Sequence, residues 1–381
     1  MNIGIDFTHD LGYSGIGTYC RSLTEAMIRM EPDNKYNILT LQNKIPEVRQ
    51  HFTNQNQLRY SGIFQNPMLL GGSFTKLIRN HHKTIWRKQA QQHDIVHFTH
   101  QEYFVHGIPN AAVTIHDIIK LYNKTFTVTD KTSPRFLHTE EMINNACQIF
   151  VPSNFVLNEL LHYFTLCKNK IKVTYEGVKD IYRKITVDHN VLIKYNINPG
   201  NNFFLYVGRI EKRKNLDNLI RAYSCLPNTI TSDIKLVLIC PGDKKATKHL
   251  QNKIVAMGLN KSVLHLQNVP DNDLVHFYNA AVALIFVSFS EGFGLPLIEA
   301  MNCGCPSVIS NSSSLPEISG NSSILVDPAD TESIRYGMQQ ISEQSELRKA
   351  LSEKSLLRAK EFSWEITAAE TLKGYHQSIL L

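Results

Sequence analysis

Short apolar runs alternate with longer stretches of helical periodicity along nearly the whole chain, a pattern that predicts parallel α/β architecture. In the first half the runs predict strands at Asn2–Phe7, Tyr36–Leu41, Ile95–Phe98, Ala111–Ile115 and Gln148–Pro152. A helix over Thr18–Met30 follows the first, after a loop that holds Gly12, Gly15 and Gly17. A second set of strands is expected at Phe203–Val207, Lys235–Ile239, Val263–Leu266, Ala283–Val287 and Pro306–Ile309. Its helices are expected near Asn215–Cys225, Lys245–Met257, Asp273–Ala280 and Leu297–Asn302. Each set makes one doubly wound domain with its ligand edge at the strand C-termini. The polar, Pro/Gly-punctuated stretch Gly177–Asn201 predicts the linker between them. The tail "FSWEITAAETLKGYHQSILL" predicts a helix of about 17 residues, which either closes the second domain or packs back across both. Two facing α/β domains form a cleft, where ligand sites are favoured.

Composition narrows the function classes. A chain of 381 residues suits two domains. The net charge of +6 fits an anionic small molecule or an anionic membrane surface and is too weak to argue for nucleic acid. Seven cysteines, scattered from Cys20 to Cys305, make no disulfide framework and point to a reducing compartment. With no leader-like N-terminus and no run of about 18 apolar residues, a cytoplasmic protein is expected.

Two stretches carry candidate chemistry. In "SEGFGLPLIEAM", Pro296 suits a first helical turn, and Gly292 and Gly294 let the backbone come close to a ligand. Amides from Phe293, Gly294 and Leu295 would then leave a helix N-terminus, which attracts phosphate. Glu291 and Glu299, eight positions apart, suit vicinal hydroxyls. On the loop alone, a capping Glu291 and a solvated Glu299 fit equally well. In "FLYVGRIEKRKNLDNLIRAY", a strand ends at Gly208, and Arg213 and Lys214 precede a helix for which Asn215 is a natural cap. Arg213 and Lys214 suit a diphosphate, although most such clusters are solvated loops.

Together, "GRIEKRKNLDNLIRAY" and "SEGFGLPLIEAM" resemble the large family 4 of retaining, nucleotide-sugar-dependent glycosyltransferases, with Glu291 and Glu299 as its E-x7-E pattern. The resemblance runs nearly end to end, through "GYSGIGTYCRSL", "TIHDI", "VPSNFVLNEL" and "FSWEITAAETLKGYH". It implies a GT-B fold of two Rossmann-like domains. Residues 1–180 would bind acceptor, residues 181–363 would bind nucleotide sugar, and a helix in 364–381 would pack on the N-terminal domain. By the same resemblance Arg213 and Lys214 contact the diphosphate, Glu299 the ribose, Glu291 the transferred sugar, and Val269 lies beside the base. Gly15, Gly17 and Gly208 allow close backbone approach, and Gly292 to Leu295 reach phosphate or sugar. His116 would face the sugar from the acceptor side; read alone, it is a structural strand-end histidine. Catalysis is thus assigned to His116, Glu291, Arg213 and Lys214.

The implied donor is GDP-mannose, with UDP sugars next. The implied acceptor is a lipid-linked glycan of the O-antigen type, reached at the inner leaflet. No cofactor and no metal are expected. Asp271 and Asp273 imitate a metal-binding Asp-x-Asp but are expected to cap a helix, and Cys303 and Cys305 to pack behind one. The stretch Arg59–Gln92, basic with apolar residues interleaved, is expected to form an amphipathic helix. A nucleotide-sugar epimerase, an inactive nucleotide-binding module and a dinucleotide-dependent oxidoreductase are the rival readings. The loop Gly12-x-x-Gly15-x-Gly17 is poorly spaced for the last of these.

Overall fold

The computed structural model describes residues 1–8, 15–52, 58–63, 84–122, 130–165 and 168–380. The chain divides into two compact units, one of residues Met1–Gly177 with Ser363–Leu381, the other of Val178–Phe362.

The first unit is built on a wholly parallel seven-stranded sheet in the order β3-β2-β1-β4-β5-β6-β7. Its strands are β1 (Asn2–Asp6), β2 (Lys35–Leu41), β3 (Leu58–Ile63), β4 (Ile95–Phe98), β5 (Ala111–Thr114), β6 (Gln148–Val151) and β7 (Ile171–Val173). Strands β4, β5 and β6 are buried on both faces, as expected for the centre of a parallel sheet, and so read as mainly apolar runs, with His97, Thr114 and Gln148 their buried polar exceptions. The first helix, α1 (Gly15–Met30), starts three residues before the predicted position. Gly15 and Gly17 therefore lie in its first turn rather than in a preceding loop, with Gly17 buried; Gly12 lies outside the described residues. Arg59 belongs to β3 instead of a basic helix, because Leu58–Ile63 pairs in register with Tyr36–Leu41. Residues 84–90 of that stretch are helical, with Trp86 buried, and residues 64–83 lie outside the described ones.

The second unit holds a parallel six-stranded sheet in the order β10-β9-β8-β11-β12-β13. These strands are β8 (Asn202–Val207), β9 (Ile234–Ile239), β10 (Val263–Leu266), β11 (Ala283–Phe286), β12 (Ser307–Ser310) and β13 (Ser323–Val326). Its helices include α2 (Leu216–Ser224), α3 (Asp271–Ala280) and α4 (Leu295–Asn302). The strand order reverses between β8 and β11, so loops from their C-terminal ends meet at a switch point, the usual ligand position in open α/β sheets. In the first unit the corresponding reversal lies between β1 and β4.

The last helix, α5 (Trp364–Ile379), belongs to the first unit and packs on α1 and β6. Trp364, Thr367, Ala368, Thr371, Leu372 and Tyr375 form its buried stripe at helical spacing. Ser363 Oγ caps it by accepting from Ile366 N. Two polar anchors fix its register: Thr367 Oγ1 donates to Tyr175 O at 2.6 Å, and Tyr375 Oη lies 2.6 Å from His97 Nδ1. Gly177, where the chain leaves this unit, has no room for a side chain. A Cβ there would lie 2.2 Å from the Trp364 backbone nitrogen. Among the described residues no helix is long and apolar enough to cross a membrane.

Candidate active site

At the switch point of the second unit, the loops after β8 and β11 are laced together. Phe289 N donates to Arg213 O at 2.8 Å. Asn215 adopts a left-handed backbone (φ +59°), and its Nδ2 donates to Val287 O at 2.9 Å and Pro328 O at 2.7 Å. Asn215 is therefore not the side-chain cap that its position suggested. Asparagine is one of the few side chains that tolerate this conformation, and its amide satisfies two buried carbonyls at the same time.

This lacing aims three charges at one another. Lys214 Nζ donates to Glu291 Oε1 at 2.7 Å, and Arg213 Nη1 donates to Glu291 Oε2 at 2.8 Å and to Ser290 O at 3.2 Å. Arg213 Nε also reaches Glu211 at 3.0 Å, and Lys214 sits over the Phe286 ring. Burial opposes the ionised form of Glu291, but Lys214 and Arg213 outweigh it and hold the carboxyl below its ordinary value. Burial also pulls the Lys214 ammonium below the usual lysine value; Glu291 opposes that pull and Arg213 adds to it. The Glu291 backbone is fixed as well: its N–H donates to Ser313 Oγ, and Ser314 Oγ donates to Glu291 O and Phe293 O. The serine run that follows β12 carries no motif of its own. Its signal is position, since the C-terminal end of β12 lies on the same sheet edge.

Gly294 takes a φ of +110°, open to glycine alone at little cost, and a Cβ there would press on Leu315 at 2.8 Å. Helix α4 opens behind it at Leu295, with Pro296 in its first turn and Phe293 buried against Phe362. Glu299, one turn further, accepts from Tyr278 Oη at 2.8 Å. Burial raises its carboxyl to about 7, against the lowering effect of Tyr278. Gly208 lies at the end of β8, where a Cβ would crowd the Tyr206 hydroxyl at 2.8 Å. Val269 is half-buried beyond β10, between Asn268 and Pro270. Asp271 and Asp273 do not occupy the expected cap position: they lie in the first turn of helix α3, whose N-cap is Pro270 with no side-chain cap. Asp271 accepts from Lys179 Nζ and Tyr182 Oη, each at 2.7 Å, and Asp273 from Tyr195 Oη. They tether the segment that enters this unit. Cys303 and Cys305 are buried. Among the described residues no group of three or more histidine, cysteine or acidic side chains is placed to hold a metal.

In the first unit, His116 stands just beyond the C-terminal end of β5. Its Nδ1 lies 3.1 Å from Glu176 Oε1 and its Nε2 2.9 Å from Thr99 O. The His116 N–H donates to Gln101 Oε1, and Gln101 Nε2 donates to Asp117 O. The Tyr19 ring meets His116 edge-on, with centroids 4.7 Å apart. Burial would lower the His116 pKa, but Glu176, with Thr99 and Asp117, raises it above the ordinary imidazole value. Beneath it His97, buried and pushed down to about 3, bridges Tyr375 and Thr114, and Thr114 Oγ1 meets Tyr19 Oη. Asp6, at the end of β1, is a buried carboxyl raised by burial to about 7; Oδ1 accepts from Thr8, and Oδ2 has no hydrogen-bond partner among the described residues. Glu176, Gln101 and Asp6 belong to no motif that sequence reasoning singles out. Glu176 has one signal in the sequence, an acid directly before the glycine that opens the predicted linker.

Residues 190–358, which carry Arg213, Lys214, Glu291 and Glu299, match the family described as Glycosyl transferases group 1. The O-antigen chain mannosyltransferase B of Escherichia coli is 31% identical over 276 residues, 72% of each chain. The chain belongs to the glycosyl transferases group 1 family. Among solved structures, this glycosyltransferase resembles sucrose-phosphate synthase from Thermosynechococcus elongatus (TM-score 0.77, 18% identity, 99% of this chain and 98% of that one). It also resembles HepE of Anabaena in complex with UDP and glucose (TM-score 0.76, 17% identity, 98% and 99%). The fold is GT-B, with two Rossmann-like domains.

Proposed function

We propose that this glycosyltransferase moves mannose from GDP-mannose, with retained anomeric configuration, onto a lipid-linked glycan in surface polysaccharide synthesis. The convergence of Arg213 and Lys214 on Glu291 at the switch point carries the reading, and the likeness to the E. coli O-antigen enzyme supplies the sugar and the acceptor class. Bond cleavage builds negative charge on the departing diphosphate, and fixed cations and helix-end amides from Phe293 to Leu295 stabilise that state more than the ground state. Arg213 and Lys214 turn from the carboxylate toward phosphate, which frees Glu291 for the hydroxyls of the transferred sugar. Glu299 takes the ribose hydroxyls, Val269 borders the base, Gly208, Gly15 and Gly17 give backbone approach, and His116 borders the sugar. The acceptor attacks on the face that the phosphate leaves, and the leaving phosphate oxygen takes its proton, so no protein base and no metal are needed. The enzyme works from the cytoplasmic side, at the inner leaflet.

A panel of nucleotide sugars, scored by thermal stabilisation and slow hydrolysis with and without a chelator, tests this. Stabilisation by GDP-mannose that survives the chelator supports it. Preference for a UDP sugar, such as the UDP-glucose bound by HepE of Anabaena, replaces the donor and keeps the chemistry. Sugar conversion without any acceptor would mark an epimerase, and binding without turnover an inactive module.

A further inference from the structure

His116 has no lone pair to offer a substrate. Its Nε2 faces the Thr99 carbonyl at 2.9 Å, and a carbonyl only accepts, so Nε2 carries a hydrogen. Its Nδ1 faces Glu176 Oε1 at 3.1 Å, and a single proton lies along that contact. A carboxylic acid is about two units more acidic than an imidazolium, so the shared proton rests on the ring. Tyr19 closes the side of the imidazole, with ring planes at 89°. Among the described residues the other titratable groups around it are Asp117 on its own turn, His97 on β4 and His100 just beyond that strand. His97 is itself kept neutral, with His116 contributing to that depression. Glu176 is the residue before Gly177, where the chain leaves the first unit, and Tyr175 is tied there by Thr367. The carboxylate that meets His116 thus stands on a backbone anchored to α5.

We propose that Glu176 is a positioning residue that keeps His116 doubly protonated and fixed in orientation, so that His116 acts in transfer as an oriented imidazolium and never as the proton acceptor. This rests on reading His116 as part of the sugar site. It excludes the alternative in which the histidine takes the acceptor's proton, and it gives an acid outside both candidate loops a defined part in the reaction.

Two readouts test the charge state and the role separately. Ring-nitrogen NMR of the intact protein should show both His116 nitrogens protonated at neutral pH and a titration above the ordinary imidazole value. In Glu176→Gln that titration should fall by a unit or more, and in Glu176→Asp by less. A wild-type His116 that titrates at or below the ordinary value overturns the proposal, even if the Glu176 variants fail to fold. The second readout is the pH profile of kcat/KM for mannosyl transfer. The proposal expects a falling limb as pH rises through the His116 value, moved to lower pH in Glu176→Gln and partly restored in Glu176→Asp. A rising limb over that range, displaced by the same substitution, would make His116 a base and overturn it. If His116→Ala transfers sugar at the wild-type rate while the NMR result holds, the site assignment fails and the charge-state assignment stands.

Discussion

Lys214 Nζ and Glu291 Oε1 meet at 2.7 Å with both side chains more than nine-tenths buried. Two charges withdrawn from water this far depend on each other, and the cost of separating them is the cost of an uncompensated buried ion. Glu291→Ala, which strands Lys214 and Arg213, is expected to destabilise the protein by about 3–5 kcal/mol in denaturant unfolding. The double variant Lys214→Met with Glu291→Leu should be more stable than Glu291→Ala. Arg213→Ala, at a partly exposed position, should leave unfolding nearly unchanged and slow transfer by about a hundredfold or more, the scale of losing one charge-stabilising donor.

Asn215→Ala is expected to cost about 2–4 kcal/mol, the sum of left-handed backbone strain and two abandoned carbonyls, Val287 O and Pro328 O. Asn215→Gly removes the strain but still loses both hydrogen bonds, so it should recover about 1 kcal/mol of that loss. Chemical denaturation of the two variants side by side separates the backbone contribution from the amide contribution.

Glu299 is raised to about 7 from an ordinary value near 4.5, and in the ribose-binding role proposed for it this would link pH to nucleotide binding. A carboxyl raised in the folded state contributes stability that is complete below the ordinary value and is lost as pH rises through about 7. Glu299→Gln should therefore flatten the decline in stability between pH 4.5 and 7. Ribose hydroxyls that donate to the ionised carboxylate lower its pKa, so donor binding near pH 6.5 should release protons. Calorimetry in buffers of different ionisation enthalpy reads that release directly, and its absence in Glu299→Gln assigns it.

Gly177→Ala is expected to destabilise the first unit by about 1–3 kcal/mol, because the two atoms nearest its Cβ are backbone atoms of Trp364 and Ser363 and cannot rotate away. Hydrogen exchange should locate the damage, with α5 amides losing protection before those of β11.

The parts of this molecule that are legible in sequence share one property: their signal is local. Buried parallel strands such as β8 and β11 are unbroken apolar runs over Phe203–Val207 and Ala283–Phe286, and their bounds follow, to within a residue, from side-chain chemistry alone. Strands β3, β7 and β13 are not foreseen: β3 lies almost wholly in the stretch expected to be an amphipathic helix, and β7 and β13 are short and carry half-buried or exposed residues. The same division holds at the candidate site. Glu291 and Glu299 announce themselves by spacing across one loop and the first turns of the helix it enters. Glu176 pairs with His116 from 60 positions away, and Tyr278 with Glu299 from 21, and no period in the sequence encodes either contact. Asn215 misleads for a related reason. Its position fits a cap, but a partner 113 residues on, Pro328 O, claims its amide.

The first unit is discontinuous in the chain, and this orders events during synthesis. Residues Val178–Phe362 emerge as one uninterrupted stretch that already contains every strand of its sheet. The unit that starts first cannot finish first: His97 waits 278 residues for Tyr375, and Tyr175 waits 192 for Thr367. Until α5 leaves the ribosome, α1 and β6 expose the apolar face that it covers, so the amino-terminal half is the portion of the nascent chain in need of protection.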